Sequence, residues 1–185
     1  VTNKFFILLF FFFNVALFLQ ADEKQLIINH LIDIDNITFD FEQITNNKKE
    51  VGVCILVFDN KLSCDYKDSM QKRILINGKT LVVEHKRYDK VYYYPISNSP
   101  FIKIFNKDNL INLIRASNYQ LNDNIKLTFI SENEEIIIIF FKKDSYDLLG
   151  WKVVDQLQNV INFSIKIKYS NSEVNPKIFL IPSNG

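Results

Sequence analysis

Cys54 and Cys64 are the residues whose type and spacing point most directly to a chemical bond. They flank the tripeptide Phe58-Asp59-Asn60, whose last residue can adopt the left-handed conformation of a three-residue hairpin loop. Counting outward from that loop places Leu56 opposite Leu62 and Cys54 opposite Cys64, within the distance that a disulfide requires. The spacing therefore predicts a disulfide, with two buried free thiols as the alternative. Two cysteines without a nearby histidine are a poor set of metal ligands, so no metal site is predicted.

Other residue types that carry chemistry in proteins are sparse and isolated. The two histidines, His30 and His85, belong to no recognisable nucleophile, metal or phosphate motif. Asp33-Ile34-Asp35 begins like a calcium-binding loop, but Ile37 and Thr38 stand where such a loop needs a ligand and a glycine. The sequence therefore predicts no catalytic residue and no cofactor, and it favours a binding protein over an enzyme.

The first 21 residues are predicted to be a secretory signal peptide. Lys4 precedes the apolar run Phe5–Leu19, which only Asn14 interrupts, and Ala21 supplies a small residue before the charged residues that follow. Retention as a membrane anchor is the alternative, although a helix that spans a bilayer needs about 20 apolar residues. We expect cleavage after Ala21, which leaves residues 22–185 as the mature domain.

Charge excludes some classes of partner. The chain has 22 Lys and Arg residues against 21 Asp and Glu residues, and residues 1–21 contain one of the lysines and no acid. The mature chain is therefore balanced, at 21 residues of each sign. A net charge near zero argues against nucleic acid or an anionic lipid surface as the main partner.

The elements that must position any site are mostly strands. A helical stripe of apolar residues runs over 22–34, and a second helical region over 99–115 breaks near Asn106. Alternating and apolar runs separated by turn residues predict eleven strands, at 38–42, 51–57, 62–66, 73–76, 79–84, 91–94, 126–130, 136–141, 149–154, 160–169 and 177–180. We therefore expect a single, mainly β (α+β) domain. It is an incomplete antiparallel β-barrel of about ten or eleven strands, with an N-terminal helix, a helical lid and an apolar interior.

Several short motifs occur in an order that resembles the LolA family of periplasmic lipoprotein carriers. The resemblance extends from about Asp22 to Pro182. The matching pieces are Phe39-Asp40-Phe41-Glu42-Gln43, Gly52, Ile74-Leu75-Ile76-Asn77-Gly78-Lys79-Thr80-Leu81, Tyr94-Pro95-Ile96, Ser99-Pro100-Phe101, Leu149-Gly150-Trp151 with Asp155, and Phe179-Leu180-Ile181-Pro182.

The resemblance implies an incomplete β-barrel closed by a helical lid, with an apolar cavity for the acyl chains of a lipoprotein. It implies a periplasmic monomer that takes cargo from an inner-membrane lipoprotein-releasing ABC transporter and delivers it to the outer-membrane receptor LolB. The receptor shares the fold but carries an acylated cysteine at the start of its mature chain. Here the first cysteine is Cys54, so the carrier is the better match.

Candidate site residues follow from the apolar faces of these elements, and ordinary core packing is the alternative for each. The predicted lipid-binding cavity is formed from the sheet by Phe39, Phe41, Leu56, Leu62, Tyr66, Ile74, Leu81 and Val83. The predicted lid contributes Phe101, Ile104, Phe105, Leu110, Leu113 and Ile114.

One departure from the family pattern concerns the lid. Family members usually have Arg-Pro after the strand that enters the first hairpin, and that arginine is thought to hold the lid shut. Phe58-Asp59 stands at that place here, and a phenyl ring cannot supply a guanidinium's donors. Closure through apolar contact of Phe58, or through Lys61 as a donor, are the alternatives. A periplasmic sensor domain of similar fold that binds a protein partner or a lipid signal remains the alternative function.

Overall fold

The computed structural model describes residues 23–96, 103–131, 134–154 and 158–182. The predicted signal peptide and the candidate lid residue Phe101 lie outside these ranges. Two α-helices are present in the described chain, α1 over 23–32 and α2 over Lys107–Ala116. Neither of them is long and apolar enough to cross a membrane.

Within the described residues, eleven strands form one antiparallel sheet that stays open, which confirms the predicted fold class. The strands are β1 Asn36–Thr45, β2 Lys48–Val57, β3 Lys61–Tyr66, β4 Lys72–Asn77, β5 Thr80–His85, β6 Lys90–Pro95, β7 Asn118–Leu121, β8 Ile125–Ile130, β9 Ile136–Phe141, β10 Leu148–Val154 and β11 Val160–Ser170. Strands adjacent in sequence are adjacent in the sheet, except for β6 and β7, and β1 pairs with β11 to join the two halves. The edges are β6 and β7.

Turn residues set the register of the hairpins. Asn60 takes a positive φ of 56° at the β2–β3 turn, and the pairing of Leu56 with Leu62 and of Cys54 with Cys64 confirms the predicted register. The β4–β5 hairpin turns at Gly78-Lys79, one residue later than the predicted Asn77-Gly78, because Asn77 pairs with Thr80 and Gly78 takes the positive φ of 61°. Local turn chemistry therefore decides which side chains share a face of the sheet.

Both helices pack against one face of the sheet, which we call the inner face. α2 begins at Asn106, whose side-chain oxygen accepts a hydrogen bond from the backbone N–H of Asn109 at 3.0 Å. It ends before Ser117, whose hydroxyl donates to the carbonyl oxygen of Ile114 at 2.7 Å. The apolar stripe of α2, Leu110, Ile111, Leu113 and Ile114, is buried against the sheet.

The C-terminal segment is the main correction to the sequence-based elements. Residues 177–180 are predicted to be a strand, but Pro176–Phe179 is a 3₁₀-helix that starts at Asn175. The proline lacks a backbone donor for a ladder and suits the first turn of a helix, which favours this outcome. β7, Asn118–Leu121, was not predicted, because its four residues are mostly polar and exposed.

Residues 176–182, which we call the C-terminal strap, cross the opposite, outer face of the sheet. Arg73 Nη2 donates to the carbonyl oxygen of Ile178 at 2.7 Å, and Asn77 Nδ2 donates to that of Phe179 at 3.1 Å. On this outer face Leu75 and Val82, paired across β4 and β5, are fully buried. The strap therefore gives the sheet a second, smaller buried surface on the side away from the helices.

Candidate functional site

The eight residues that the sequence assigns to the cavity all lie on the inner face. Pairings such as Leu56 with Leu62 and Ile74 with Val83 place them in register across β1 to β5. Five of them are buried in the central core, namely Phe39, Phe41, Leu56, Leu62 and Tyr66. The other three, Ile74, Leu81 and Val83, are half-buried. The structure therefore places all eight side chains on one surface, which is buried at five of them and partly exposed at the other three.

Stacked and edge-on rings line the centre of the inner face. The Phe41 ring contacts Tyr66 edge-on at a centroid distance of 4.8 Å and stacks on Phe163 at 4.9 Å. Phe163 in turn stacks on Trp151 at 4.5 Å, and Trp151 meets Phe105 edge-on at 5.7 Å. A continuous row of aromatic rings thus runs from β3 through β1, β11 and β10 to the segment that leads into α2.

Gly52 makes room for this row. A Cβ atom built on Gly52 would lie 2.6 and 2.8 Å from two carbon atoms of the Phe41 ring. The same Cβ would also clash with the backbone carbonyl oxygen of Asp65, so no side chain fits at that position, which explains why glycine opposes Phe41 on β2.

The lid residues within the described chain are all buried against the central strands of the inner face. Ile104, Phe105, Leu110, Leu113 and Ile114 belong to the same hydrophobic core as the cavity residues. The floor and the lid are therefore in direct contact, with the helices seated on the sheet.

Backbone hydrogen bonds hold the start of the lid where the family has its arginine. Phe58 is buried, and its N–H donates to the carbonyl oxygen of Asp35 at 3.0 Å. Asp59 forms an isolated β-bridge with Asn106, and the N–H of Asn60 donates to the carbonyl oxygen of Phe105 at 3.3 Å. Of the two alternatives for closure of the lid, Phe58 supplies apolar contact beside this main-chain pairing. The Lys61 ammonium group donates to Asp59 Oδ2 at 3.3 Å.

Two lysines tie the helices to each other in a reciprocal arrangement, which we call the lysine clamp. Lys24, near the start of α1, donates to the carbonyl oxygens of Arg115 and Ser117 at the end of α2, at 3.1 and 2.6 Å. Lys107, at the start of α2, donates to the carbonyl oxygen of Ile32 at the end of α1, at 3.0 Å. Lys107 also donates to Asp35 Oδ1 at 3.3 Å. Each ammonium group thus binds carbonyl oxygen at the negative end of the other helix's dipole.

Strands β4 to β6 present an apolar surface on the inner face that the helices leave partly uncovered. We call this surface the open wing; it consists of Ile74, Leu81, Val83, Tyr92 and Tyr94. Tyr92 and Tyr94 are 43% and 47% exposed. Their pairing with Val83 and Leu81 shows that all of these side chains lie on the same face. The open wing is the accessible part of the apolar inner face.

A polar group borders the open wing where the inner face ends. We call Gln43, Glu50, Tyr66 and Lys72 the rim row. Lys72 Nζ lies 2.6 Å from Glu50 Oε1 and 3.8 Å from the centre of the Tyr66 ring, so its side chain passes over β3 to reach β2. The Tyr66 hydroxyl donates to Gln43 Oε1 at 2.8 Å. Four strands are therefore linked across one end of the apolar floor.

Burial changes the acid–base properties of the rim row. Desolvation raises the pKa of Tyr66 far above its ordinary value, and the carboxylates of Glu50 and Asp68 add to this shift. Desolvation also acts to raise the pKa of Glu50, but hydrogen bonds from Lys72 and Lys48 outweigh it and the net shift is downward. The row therefore holds a neutral phenol and a compensated ion pair at physiological pH.

Cys54 and Cys64 are joined by a disulfide in the floor of the inner face, with their Cα atoms 4.1 Å apart. Both are buried, so the bond is part of the central core. Within the described ranges, no group of three His, Cys, Asp or Glu side chains is arranged to hold a metal ion.

Sequence reasoning missed the rim row and the lysine clamp. A signal for the rim row is present, because strand alternation puts Glu50 on the face of Gly52 and Cys54, and Lys72 on the face of Ile74. A charge on the buried face of a strand is uncommon and marks the position for attention. The clamp has no such signal, since Lys24 and Lys107 meet the opposite helix only through tertiary packing.

The comparisons with known proteins agree with the fold. The family model described as outer membrane lipoprotein carrier protein LolA matches residues 33–182. No curated protein matches the chain in sequence.

Solved structures show the same fold at low sequence identity. The lipoprotein LppX of Mycobacterium tuberculosis is 13% identical, with a TM-score of 0.52 over 83% of this chain and 96% of its own. An uncharacterised conserved protein from Thermus thermophilus is 8% identical, with a TM-score of 0.53 over 89% and 96% of the two chains. The complex of MucA and MucB from Pseudomonas aeruginosa contains a chain that is 10% identical, with a TM-score of 0.50 over 87% of this chain and 61% of that one.

Proposed function

The chain belongs to the LolA family of outer membrane lipoprotein carrier proteins, and from that premise we propose that it binds the acyl chains of lipoproteins and carries them from the inner to the outer membrane. The proposed location is the periplasm. The proposed role is binding and transfer without chemical change of the cargo, so the protein is not an enzyme.

The observation that carries this proposal is a contiguous apolar face beneath two helices that polar links hold in place. The central floor and the lid side chains form one core. The links are the lysine clamp and the backbone pairing of Asp59 and Asn60 with the start of α2. An acyl chain that replaced the lid side chains on the floor would exchange one apolar contact for another. The closed, empty state and the open, loaded state can therefore be close in free energy.

The driving force for loading is removal of acyl chains from water. Each buried methylene contributes about 0.8 kcal/mol. Phe105, Leu113 and Ile114 are the lid side chains that cargo would displace, because they are buried against the floor. While the protein is empty, they cover apolar surface that would otherwise promote aggregation.

The proposed partners are the lipoprotein-releasing ABC transporter of the inner membrane and an outer-membrane receptor of the LolB type. In the family an arginine is thought to govern lid closure. Here the buried Phe58 and the main-chain pairing beside it stand at that position. We propose that transfer to the receptor depends on separating Asp59 from Asn106 rather than on breaking a guanidinium's hydrogen bonds.

A release assay tests the carrier function. Spheroplasts that hold radiolabelled lipoprotein in the inner membrane are incubated with the purified protein, and the label in the soluble fraction is measured. We expect release of lipoprotein as a one-to-one complex. Leu113→Glu should abolish release, because it places a charge on the buried stripe of α2.

Asn112→Glu is the matched control, since it adds the same charge to the exposed face of the same helix. We expect it to release lipoprotein like the wild type. Equal release by both variants would contradict the assignment of α2 as the lid. Absence of release by folded wild-type protein would contradict the carrier function.

Recognition of a protein partner is the second candidate function. The observation that favours it is that β6, with the exposed Tyr92 and Tyr94, forms an edge of the sheet that can accept another strand. The similarity in fold to the MucA/MucB complex agrees with this possibility. A folded protein that fails to release lipoprotein would favour this function over the carrier role.

A further inference from the structure

We propose that the rim row binds the uncharged ester and amide carbonyls at the polar end of an acylated cargo whose chains lie on the open wing. This inference rests on the proposed function and names the part of the cargo that is recognised by hydrogen bonds. Gln43 lies in one of the motifs that carry the family resemblance, and Tyr66 is a predicted cavity residue, but neither prediction gives the row a polar binding role.

The side chains of the rim row contact one another and are largely buried. The side chains of Lys72 and Glu50 are only 15% and 14% exposed, and they meet at 2.6 Å. Burying an ion pair removes both charges from water, and an apolar pair of similar size is often as stable or more stable. Stability of the sheet therefore does not by itself account for this pair, and its position suggests a role in recognition.

The position of the row matches the shape of an amphiphile. Lys72 precedes Ile74 on the same face of β4, and it pairs with His85, which follows Val83 on the same face of β5. Strands of six residues extend over about 20 Å. One leaflet of bilayer hydrocarbon measures about 15 Å. An acyl chain can therefore lie along the open wing with its polar end at the rim row.

The charges and donors of the row specify an uncharged acceptor. Lys72 and Lys48 both bind Glu50 Oε1, and the carboxylate of Asp68 lies near Tyr66. Two positive charges therefore face two negative ones, so a phosphate or a carboxylate would find little net attraction. An ammonium group has three donors, of which Glu50 accepts one and the Tyr66 ring faces another. One donor is left for a ligand. In addition, the buried Nδ1 of His85 finds no hydrogen-bond partner within the described part of the chain.

The test compares two ligands that differ only in their carbonyls. Binding of a dipalmitoyl-glyceryl-cysteine peptide and of its dihexadecyl ether analogue to the full chain is measured by calorimetry. We expect the wild type to bind the ester about tenfold more tightly, the effect of one hydrogen bond to a charged group. Lys72→Met should remove this preference while the affinity for the ether stays unchanged.

Lys49→Met is the matched control. Lys49 also forms an ion pair between strands, with Glu42 at 2.7 Å, but on the outer face. Its loss should leave the ester preference intact. Equal binding of ester and ether by the wild type would overturn the inference while leaving the carrier function standing. An equal loss of affinity for both ligands in Lys72→Met would show that the row only supports the fold. Failure of the wild type to bind either ligand would instead contradict the proposed function.

A second variant keeps the inference falsifiable if Lys72→Met does not fold. Glu50→Gln leaves the Lys72 ammonium without its counter-charge but keeps the size of the side chain. We expect palmitate to bind this variant several-fold more tightly than it binds the wild type, with no change for methyl palmitate. No gain for palmitate would show that the rim row does not contact the polar end of the ligand.

Discussion

The centre of the sheet and its β4–β6 wing bury opposite faces. In the centre the inner face is covered by α1 and α2, and residues such as Phe39 and Leu56 are fully buried. In the wing the outer face is covered by the C-terminal strap, so that Leu75 and Val82 are fully buried. On its inner face Ile76 is still buried beside the centre, but Leu81 and Val83 stay half-exposed. The same strand alternation thus builds a core in one region and leaves an apolar surface available in the other.

This difference indicates how the helices could move while the rest of the sheet stays folded. The strap gives the wing a stable outer side, through Arg73 and Asn77, that does not depend on the lid. The centre, by contrast, depends on the helices for its cover. We infer that opening of the helices would expose the centre without unfolding the wing.

The largest effect is expected from the same substitution made in the two regions. Leu56→Ala removes a fully buried side chain in the centre and should lower the free energy of unfolding by about 3 kcal/mol. Leu81→Ala in the open wing should lower the free energy of unfolding by about 1 kcal/mol, because the half-buried Leu81 side chain removes less apolar surface from water on folding. Urea unfolding measures both values. Equal losses would show that the wing is as well packed on its inner face as the centre.

A smaller effect is expected from removing the lysine clamp. The double variant Lys24→Met, Lys107→Met should lower the free energy of unfolding by about 1 to 2 kcal/mol, since hydrogen bonds from charged groups to helix carbonyls are lost. Because the helices cover the centre, the variant should also bind more of a fluorescent hydrophobic dye at low denaturant. Lys143→Met, at an exposed loop position, is the control and should change neither quantity. Unchanged dye binding by the double variant would contradict the role of the clamp in keeping the centre covered.

The smallest effect concerns pH and the rim row. The pKa of Glu50 is lowered in the folded protein, so its contribution to stability is present above its unfolded pKa, near 4.5, and is lost as pH falls through the folded value. The difference in unfolding free energy between wild type and Glu50→Gln should therefore shrink between pH 7 and pH 3. Chemical unfolding at a series of pH values measures it. A difference that stays constant over this range would show that the ion pair with Lys72 does not stabilise the fold.

Much of the fold was predictable because it follows from local rules. Alternation identified the inner-face side chains of β1 to β5, and the Asp59-Asn60 turn fixed the register that joins Cys54 to Cys64. The Asn77-Gly78 pair located the β4–β5 hairpin but placed its turn one residue too early. The apolar stripe of α2 was equally visible in its spacing. The candidate cavity residues were therefore brought to one face, as predicted.

Alternation could have placed Glu50 and Lys72 on the inner face, but the pairings within the rim row and the lysine clamp were beyond sequence reasoning because they join residues that are separated along the chain. Lys72 reaches Glu50 across an intervening strand, and Lys24 caps a helix at a carbonyl 91 residues away. A lysine in the sequence looks the same whether it is solvated or paired. Such pairings become visible only when the elements are assembled.

The sequence by itself determined which residues share a face, since strand alternation, helical spacing and turn chemistry are set by near neighbours. Only the tertiary structure decided which face is covered and by what. The C-terminal strap forms a 3₁₀-helix over Leu75 and Val82 rather than another strand, and the helices cover the centre rather than the wing. The physical reason is that burial depends on long-range docking of whole elements, and an apolar face in a sequence does not specify its cover.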